Sequence, residues 1–437
     1  MIKKKIFNFF PLSISIVLFG YIYYKAEIVN NSLNSSYYIN YYYFSYFLIV
    51  LSFIFIFLKK KIKIFFYVVS VSIIFSLYLF EAYFYFYAGK KYEKIRKIKI
   101  QEQGKSYDKR DKIQIFSDLQ LIEKDKIVIR VGPSNYIKDD LKFLPLSGIS
   151  GTKTIFCNEN GYYSIIETDQ FGFNNPKYEW NDNVETEYLL IGDSHVHGDC
   201  VNRPFDIGSQ LRILSNKPVL NLGYGGNGPL TAYATLKEFY PKNVKKTIWF
   251  YTESNDLVQF KEEIKNPIIK KYFEDQSFIQ NLKLKQNETN LKGLKTIENE
   301  IKLYSKNKTS KNLNFKYKLR NHLTLYTVRR LLIKEKLPFN DFKELLIKVK
   351  KFVKERNSEL YFVYIPDYYR LKNNIYDNSN FYKIQEIVND LNINFVDLAT
   401  FFEKSTDPLS FFPFRIVGHY NEKGYKKIAE EIYRLTN

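Results

Sequence analysis

Cysteine and histidine are scarce in this sequence of 437 residues, which holds two cysteines and four histidines. The cysteines, Cys157 and Cys200, lack the spacing of metal ligands, but they can form one disulfide in an oxidising compartment if the fold brings them together. No recognisable nucleic-acid-binding module is present. No small-residue cleavage site follows the first apolar run, which argues against a cleaved signal peptide.

Positive charge is abundant, with a formal net charge of +20 at pH 7. Such a charge can indicate a nucleic-acid or anionic partner. The lysines are scattered over almost every segment, however, and we therefore expect no nucleic-acid partner. The aromatic content of 18% also runs through the whole chain and can reflect nucleotide bias in the source genome. The length of the chain predicts two or three domains.

Residues 1–90 are predicted to form a three-helix transmembrane anchor, because the apolar runs 6–24, 43–58 and 64–88 have about membrane-spanning length. The lysines that set the orientation lie before the first run, in the first loop and before the third run: Lys3, Lys4, Lys5, Lys25, Lys59, Lys60, Lys61 and Lys63. Only Lys25 lies in the first loop, so we expect the N-terminus on the inner side of the cytoplasmic membrane and the C-terminal part on its outer side. The basic stretch 90–112 opposes this orientation, but long translocated domains follow the charge rule poorly.

Glu81 lies within the third apolar run and either marks a polar pathway or reaches toward the interface. Residues 91–183 are interpreted as a basic linker and a β-rich lead-in, with a turn signal at 158–161. We assign no chemistry to the segment 169–176 near its end.

Residues 184–437 are predicted to form an α/β domain with a parallel sheet, because short strands alternate with helices. The predicted strands are 188–191, 218–222, 246–252, 360–365 and 394–398, and the predicted helices are 204–214, 230–239, 341–356, 382–391 and 422–435. Ligands of such sheets bind beyond the carboxyl ends of the strands. A polar segment at 257–338 interrupts the pattern and is interpreted as a helical insertion near the mouth of the site.

A serine stands at the end of the first of these strands. The apolar run that ends at Ile191 is followed by Gly192, Asp193 and Ser194, which predicts a sharp turn from strand to helix with a hydroxyl at the corner. The free amides of the helix start suit an oxyanion. Ser194 is therefore either a nucleophile or only a helix N-cap.

Three further motifs follow in order. A glycine-rich turn at 221–229 after the second strand can bring backbone amides close to a ligand, or is a plain turn. Asn255, after the third strand, either donates its amide to an oxyanion or forms an Asx turn. His419, just before the last helix, is a candidate general base, although a lone histidine is more often structural.

Together these four motifs resemble the ordered blocks of the SGNH/GDSL hydrolase family over about residues 185–435. The resemblance implies a flavodoxin-like three-layer α/β/α fold, and we expect no cofactor. It also implies that Ser194 is the nucleophile and His419 its base, and that the Ser194 and Gly226 amides and the Asn255 side chain form the oxyanion hole. Members of the family are esterases, lipases, carbohydrate deacetylases and membrane-linked O-acetyltransferases.

The sequence departs from the family pattern at two positions. Glu253 stands where the third block usually begins with glycine, and Ile416 stands where an aspartate usually orients the histidine. Loss of the orienting acid lowers turnover about 10⁴-fold in a serine protease. Another carboxylate or a backbone carbonyl must replace it, or activity is weak. Asp407 is the nearest acid upstream but is not favoured, and Asp193 is interpreted as structural.

His195, His197 and Asp199 invite a metal-site hypothesis, but two histidines do not make a closed site, and we expect no metal. His195 is too close to Ser194 in sequence to act as its base and is expected to hydrogen-bond locally. The favoured function is a membrane-anchored serine esterase acting on O-acyl esters, and we expect the ester to be that of a carbohydrate. The alternatives are an O-acyltransferase for surface polysaccharide, served by a multi-span acyl-transport partner, and a non-catalytic glycan-binding module.

Overall fold

The structure is a computed structural model that describes residues 2–29, 35–104, 106–123, 127–136, 143–309, 319–332, 337–373 and 375–437. The chain divides into two compact units, each described by itself. The first, here called the helical unit, is Met1–Glu93 with Ser310–Lys336. The second, the α/β unit, is Lys94–Thr309 with Leu337–Asn437. The described residues 319–332 of the interrupting segment therefore group with the N-terminal helices.

Within its described residues, the helical unit contains three helices long and apolar enough to cross a membrane. The apolar spans are Phe9–Val29, Tyr38–Phe57 and Lys60–Tyr87, within the α-helices Ile2–Tyr23, Ser35–Phe57 and Lys60–Tyr83 and their short π-helical extensions Tyr24–Val29 and Phe84–Ala88. Most of their large apolar side chains are exposed, as lipid-facing side chains are. The side chains of Lys3, Lys4 and Lys5, which entered the orientation argument, lie outside the described residues.

The β-rich lead-in is a small three-stranded sheet in the α/β unit. Strand β1 is Ile127–Ile129, β2 is Lys153–Ile155 and β3 is Ile165–Glu167; β1 pairs with β2 in parallel, and β2 pairs with β3 in antiparallel. The helices before it are Gly89–Glu102 and Lys112–Glu123. The turn predicted at 158–161 lies between β2 and β3.

The main sheet has five parallel strands. They are β4, Thr186–Ile191; β5, Val219–Asn221; β6, Val244–Thr252; β7, Glu359–Ile365; and β8, Asn394–Asp397. Their spatial order is β5-β4-β6-β7-β8, which is the flavodoxin-like order with its switch point between β4 and β6. The predicted α/β fold is confirmed.

Helices cover both faces of the main sheet, so its central strands are buried on both sides. In β4, Leu189 and Ile191 belong to one hydrophobic cluster, and Tyr188 and Leu190 belong to the other. This division follows from the period of two along a strand. The helices of this region are Ser194–His197, Ile207–Ser215, Pro229–Phe239, Asp256–Glu263, Pro267–Glu274, Gln286–Thr309, Phe339–Lys354, Tyr368–Lys372, Ser379–Asp390, Leu398–Glu403 and Glu422–Thr436.

Candidate active site

Ser194 lies at the first position of the short helix that follows β4. The N-cap of that helix is Asp193, whose carboxylate accepts the His195 amide at 2.9 Å. The Ser194 hydroxyl is therefore not needed for capping and is available for another partner. This partner is the His419 ring.

Ser194, His419 and Glu159 form a chain of hydrogen-bonding groups. Ser194 Oγ lies 2.9 Å from His419 Nε2. His419 Nδ1 lies 3.1 Å from one oxygen of Glu159, and the other oxygen accepts the His419 backbone amide at 2.6 Å. Because a carboxylate only accepts, it fixes the hydrogen on Nδ1, and in the neutral imidazole Nε2 is left to accept the serine proton. The structure thus brings Ser194 and His419 together, as predicted.

Glu159 changes the titration of His419. Burial alone would lower the pKa of His419, but the hydrogen bond and the negative charge of Glu159 outweigh burial and raise this pKa to about 9. Burial likewise opposes ionisation of Glu159, but the hydrogen bond to His419 holds the pKa of the carboxyl below its ordinary value. The two side chains therefore stabilise each other as an ion pair.

A disulfide connects the loop of Glu159 to the loop of Ser194. Cys157, two residues before Glu159, is bonded to Cys200, six residues after Ser194. Asn160 adds a hydrogen bond to the Cys200 carbonyl at 2.9 Å. The disulfide therefore fixes the acid-bearing turn beside the corner that carries the serine.

The last helix fixes His419 from the other side. The Asn421 side chain caps this helix by accepting the Gly424 backbone amide at 3.0 Å. The backbone amide of Asn421 donates to the Phe411 carbonyl. Gly418 is needed for the close approach of Glu159, because a Cβ built on it would lie 2.6 Å from a Glu159 carboxylate oxygen. The motif around His419 is therefore a positioning motif as well as the source of the imidazole.

The groups predicted for the oxyanion hole come from three strand ends. In the described part of the chain, the backbone amides of Ser194 and Gly226 have no hydrogen-bond acceptor. Asn255 donates its side-chain amide to Asp193 at 3.2 Å, and the second hydrogen of this NH₂ group is left for a ligand. Asp193 thus has the structural role predicted for it: it caps one helix and orients Asn255.

The lead-in contacts the glycine-rich turn. Gly226 has a φ of +87°, and a Cβ at this position would lie within 3 Å of the Ser134 side chain. The Arg130 guanidinium donates to the Gly225 carbonyl. Arg130 and Ser134 were not singled out from the sequence, because nothing in their local pattern indicates this contact.

The two departures from the family pattern have structural explanations. Glu253 forms a buried ion pair with Arg370, whose Nε lies 2.9 and 3.0 Å from the two carboxylate oxygens. Glu253 also accepts the Tyr364 hydroxyl, and therefore joins the ends of β6 and β7. Asp407 pairs with Arg415 on the surface. The acid missing at Ile416 is replaced by Glu159.

The residues of the metal-site hypothesis have separate neighbours. His197 Nδ1 lies 2.9 Å from buried Asp199, whereas the His195 ring packs 5.0 Å from the ring of His419. Burial lowers the pKa of His195 to about 4. We expected the His195 side chain to hydrogen-bond locally. For Nδ1 this prediction is wrong, because this buried atom has no hydrogen-bond partner among the described residues.

One cluster in the described ranges has the compactness of a metal site, namely Glu159, Cys200 and His419. The Cys200 sulfur is already bonded to Cys157. Two ligands remain, and these are engaged with each other. The cluster therefore offers no built metal site.

The segment 169–176 has a structural role. The buried Asp169 carboxylate accepts the amides of Phe171 and Phe173 and the Trp180 indole. Asn174 then donates to the His197 carbonyl at 2.7 Å. This segment therefore supports the helix that carries Ser194.

A cavity of about 320 Å³ lies between the loops that carry Glu159 and His419. Its lining combines amide, hydroxyl, charged and aromatic side chains: Gln103, Asn160, Ser410, Phe412, Pro413, Phe414, Arg415, Asn421 and Glu422. Such a lining suits a hydroxylated group better than an acyl chain.

Glu159 is the important site residue that the sequence did not reveal. Its turn was recognised at 158–161, but the acid lies 260 residues from His419. The signal that was available is indirect: the cysteines flank both the turn and the Ser194 corner, so a Cys157–Cys200 disulfide would place Glu159 near the site.

No protein-family model and no curated protein matches the chain. Among solved structures, the chain is similar to a protein assigned to the G-D-S-L lipolytic family of Desulfitobacterium hafniense DCB-2, with 14% identity and a TM-score of 0.30 over 57% of this chain and 99% of that one. It is also similar to the lipase/acylhydrolase of Enterococcus faecalis, with 13% identity and a TM-score of 0.32 over 57% of this chain and 94% of that one. By its own strand order and motif positions, the α/β unit has the fold that the resemblance to the SGNH/GDSL hydrolases predicts.

Proposed function

We propose that this protein is a membrane-anchored serine esterase that cleaves O-acyl esters through an acyl-enzyme. The observation that carries the proposal is the alignment of Ser194 Oγ, His419 Nε2 and Nδ1, and Glu159, with separations of 2.9 and 3.1 Å. A hydroxyl, an imidazole and a carboxylate in this order activate serine as a nucleophile.

The reaction would proceed in two steps. His419 Nε2 takes the Ser194 proton as Oγ attacks the ester carbonyl, and the imidazolium then protonates the departing alkoxide. Water, activated by the same imidazole, releases the acid from the acyl-enzyme and regenerates Ser194. Glu159 stays ionised throughout and stabilises the imidazolium.

The oxyanion of each tetrahedral intermediate is assigned to the Ser194 amide, the Gly226 amide and the Asn255 side chain. Removing one such donor typically costs about 2.7–4 kcal/mol of transition-state stabilisation. The two amides have no acceptor in the described chain, and Asp193 holds Asn255 in place. These groups thus need little reorganisation during the reaction.

A carbohydrate ester is the substrate class that we propose. The cavity beside the loops of Glu159 and His419 has a largely polar lining, in which Gln103, Asn160 and Glu422 can hydrogen-bond to sugar hydroxyls. The proposed location is the cytoplasmic membrane, with the α/β unit outside. The disulfide supports this side, because disulfides persist in oxidising compartments.

The experiment is fluorophosphonate labelling of the full-length chain in detergent. The wild type should be labelled, Ser194→Ala should not, and Ser379→Ala, at an exposed serine of the helix Ser379–Asp390, is the matched control that should retain labelling. Unchanged labelling of Ser194→Ala would remove Ser194 from the mechanism. Incubation with acetylated glycans then shows whether the acyl group goes to water or to a second sugar, which would instead indicate a transferase that depends on a partner for acyl supply.

A further inference from the structure

Glu81, in the third apolar span, is hydrogen-bonded to the interrupting segment. Its carboxylate accepts the Thr327 amide at 3.0 Å and the Val328 amide at 3.1 Å, and the Thr327 hydroxyl at 2.9 Å. The side chain is 3% exposed. An isolated carboxylate in a membrane span is costly, and these donors offset that cost.

A second group of contacts joins the same two parts of the helical unit. The Tyr78 hydroxyl, one turn before Glu81, donates to the Leu323 carbonyl at 3.0 Å, and its ring lies 5.7 Å from the His322 ring. Residues 319–332 are therefore attached to the third span at two points, one on each side of Leu325.

The depth of this attachment follows from helix geometry. The third span begins in a basic cluster at Lys60–Lys63, and Glu81 lies about 27–32 Å farther along the helix, at 1.5 Å per residue. A hydrocarbon core is about 30 Å thick, so Glu81 falls at the opposite interface. Residues 319–332 are then at the level of the lipid headgroups.

The composition and exposure of this segment fit that level. Positions 310–336 contain eight Lys or Arg and one acid. Among the described residues there, Arg320 and Arg330 are exposed next to exposed apolar side chains at Leu319, Leu323 and Leu331. Basic side chains together with exposed leucines are typical of segments that lie in the interface of anionic membranes.

We propose that residues 319–332 form a membrane-surface element that binds anionic lipid headgroups and is anchored to the third span by Glu81. The chain leaves the α/β unit after Thr309 and re-enters it at Leu337. The element would thus give the α/β unit two further connections to the membrane besides the one after the third span. This proposal does not depend on the esterase function.

The test places tryptophan in the full-length chain at Leu323 or Leu331 and measures quenching by brominated acyl chains in vesicles. The two native tryptophans, Trp180 and Trp249, lie in the α/β unit. Their emission is measured with the unsubstituted protein and subtracted. Phe57→Trp, on the exposed face of the second span, is the lipid control, and Leu284→Trp is the control in the α/β unit. Both test variants should lose a fraction of their emission comparable to that of Phe57→Trp.

Headgroup charge is tested by comparing phosphatidylcholine vesicles with vesicles that contain phosphatidylglycerol. Quenching of Leu331→Trp should rise with phosphatidylglycerol, and combining it with Arg320→Gln, Arg329→Gln and Arg330→Gln should abolish this rise. Glu81→Leu should reduce quenching at both positions, and Glu81→Gln, which keeps one acceptor, should reduce it less. Quenching at both positions no greater than that of Leu284→Trp overturns the membrane-surface element. If the quenching of Leu331→Trp does not change with phosphatidylglycerol, the assignment to anionic headgroups is overturned.

Discussion

Glu159 holds His419 at two points, since one carboxylate oxygen accepts the His419 amide at 2.6 Å and the other lies 3.1 Å from ring Nδ1. Backbone and ring are fixed by the same side chain, so the rotation that would carry Nε2 away from Ser194 is restricted. The alternative of a non-catalytic glycan-binding role rests on the absence of an acid at position 416. That reason no longer applies, since an acid from the lead-in occupies the place.

Replacing Glu159 should impair catalysis without removing the serine or the imidazole. Glu159→Gln should lower kcat on p-nitrophenyl acetate by up to about 10⁴-fold, because the imidazole loses its fixed tautomer and the charge that stabilises its protonated form. Steady-state kinetics measure this loss. Asp407→Asn is the control, because Asp407 lies in an exposed pair with Arg415 and should leave kcat unchanged. Equal effects of both variants would mean that Glu159 has no special role.

The pH profile should report the raised pKa of His419, which is about 9. The base must be neutral, so kcat/KM should increase about tenfold per pH unit below that value and level off above it. The rates are measured with Ser194→Ala as the blank for spontaneous ester hydrolysis. In Glu159→Gln the midpoint should move to lower pH, because burial then acts on His419 without an opposing charge. A midpoint that stays in place would contradict the assigned cause.

The same shift makes stability depend on pH. The folded-state pKa of His419 lies above the ordinary value of about 6.5, so the pair with Glu159 stabilises the fold fully below that ordinary value. This contribution is lost as the pH rises through about 9. The thermal unfolding temperature of the wild type should therefore fall more steeply over this pH range than the unfolding temperature of Glu159→Gln.

Breaking the disulfide should loosen Glu159. Reduction of the wild type, or Cys157→Ser combined with Cys200→Ser, should lower kcat because the acid-bearing turn loses its covalent link to the Ser194 loop. In Glu159→Gln, reduction should change kcat much less, since the group that the disulfide positions is already gone. If the reductant lowers both activities by the same factor, the disulfide acts on the fold as a whole and not through Glu159.

The ion pair of Glu253 and Arg370 should matter for stability. Both side chains are almost fully buried, so Arg370→Ala leaves a buried, uncompensated carboxylate and should cost about 3–5 kcal/mol of unfolding free energy. Lys343→Ala removes one member of an exposed pair with Asp390 and should leave the melting temperature nearly unchanged, because solvent screens such pairs. Melting temperatures of the two variants, followed by tryptophan fluorescence, check the difference. Similar melting temperatures would contradict the structural role given to Glu253.

The α/β fold was predictable because it depends on local patterns. Continuous apolar runs such as Tyr188–Ile191 indicate strands buried on both faces, and alternation with helices dictates parallel pairing. Asp193 and Asn421 were predictable as positioning residues for the same reason, since helix caps are local. The three candidate membrane spans in the described part of the chain follow from length and hydropathy alone.

The partners of Glu159, Glu253 and Glu81 were not predictable, because each lies more than 100 residues away in the chain. Local sequence determined the strands, the helix caps and the corner that carries Ser194, since these depend on neighbouring residues. Only the tertiary structure decided which carboxylate faces His419, because that choice depends on a disulfide and a loop from a different part of the chain. Long-range contacts of this kind leave no periodic pattern in the sequence.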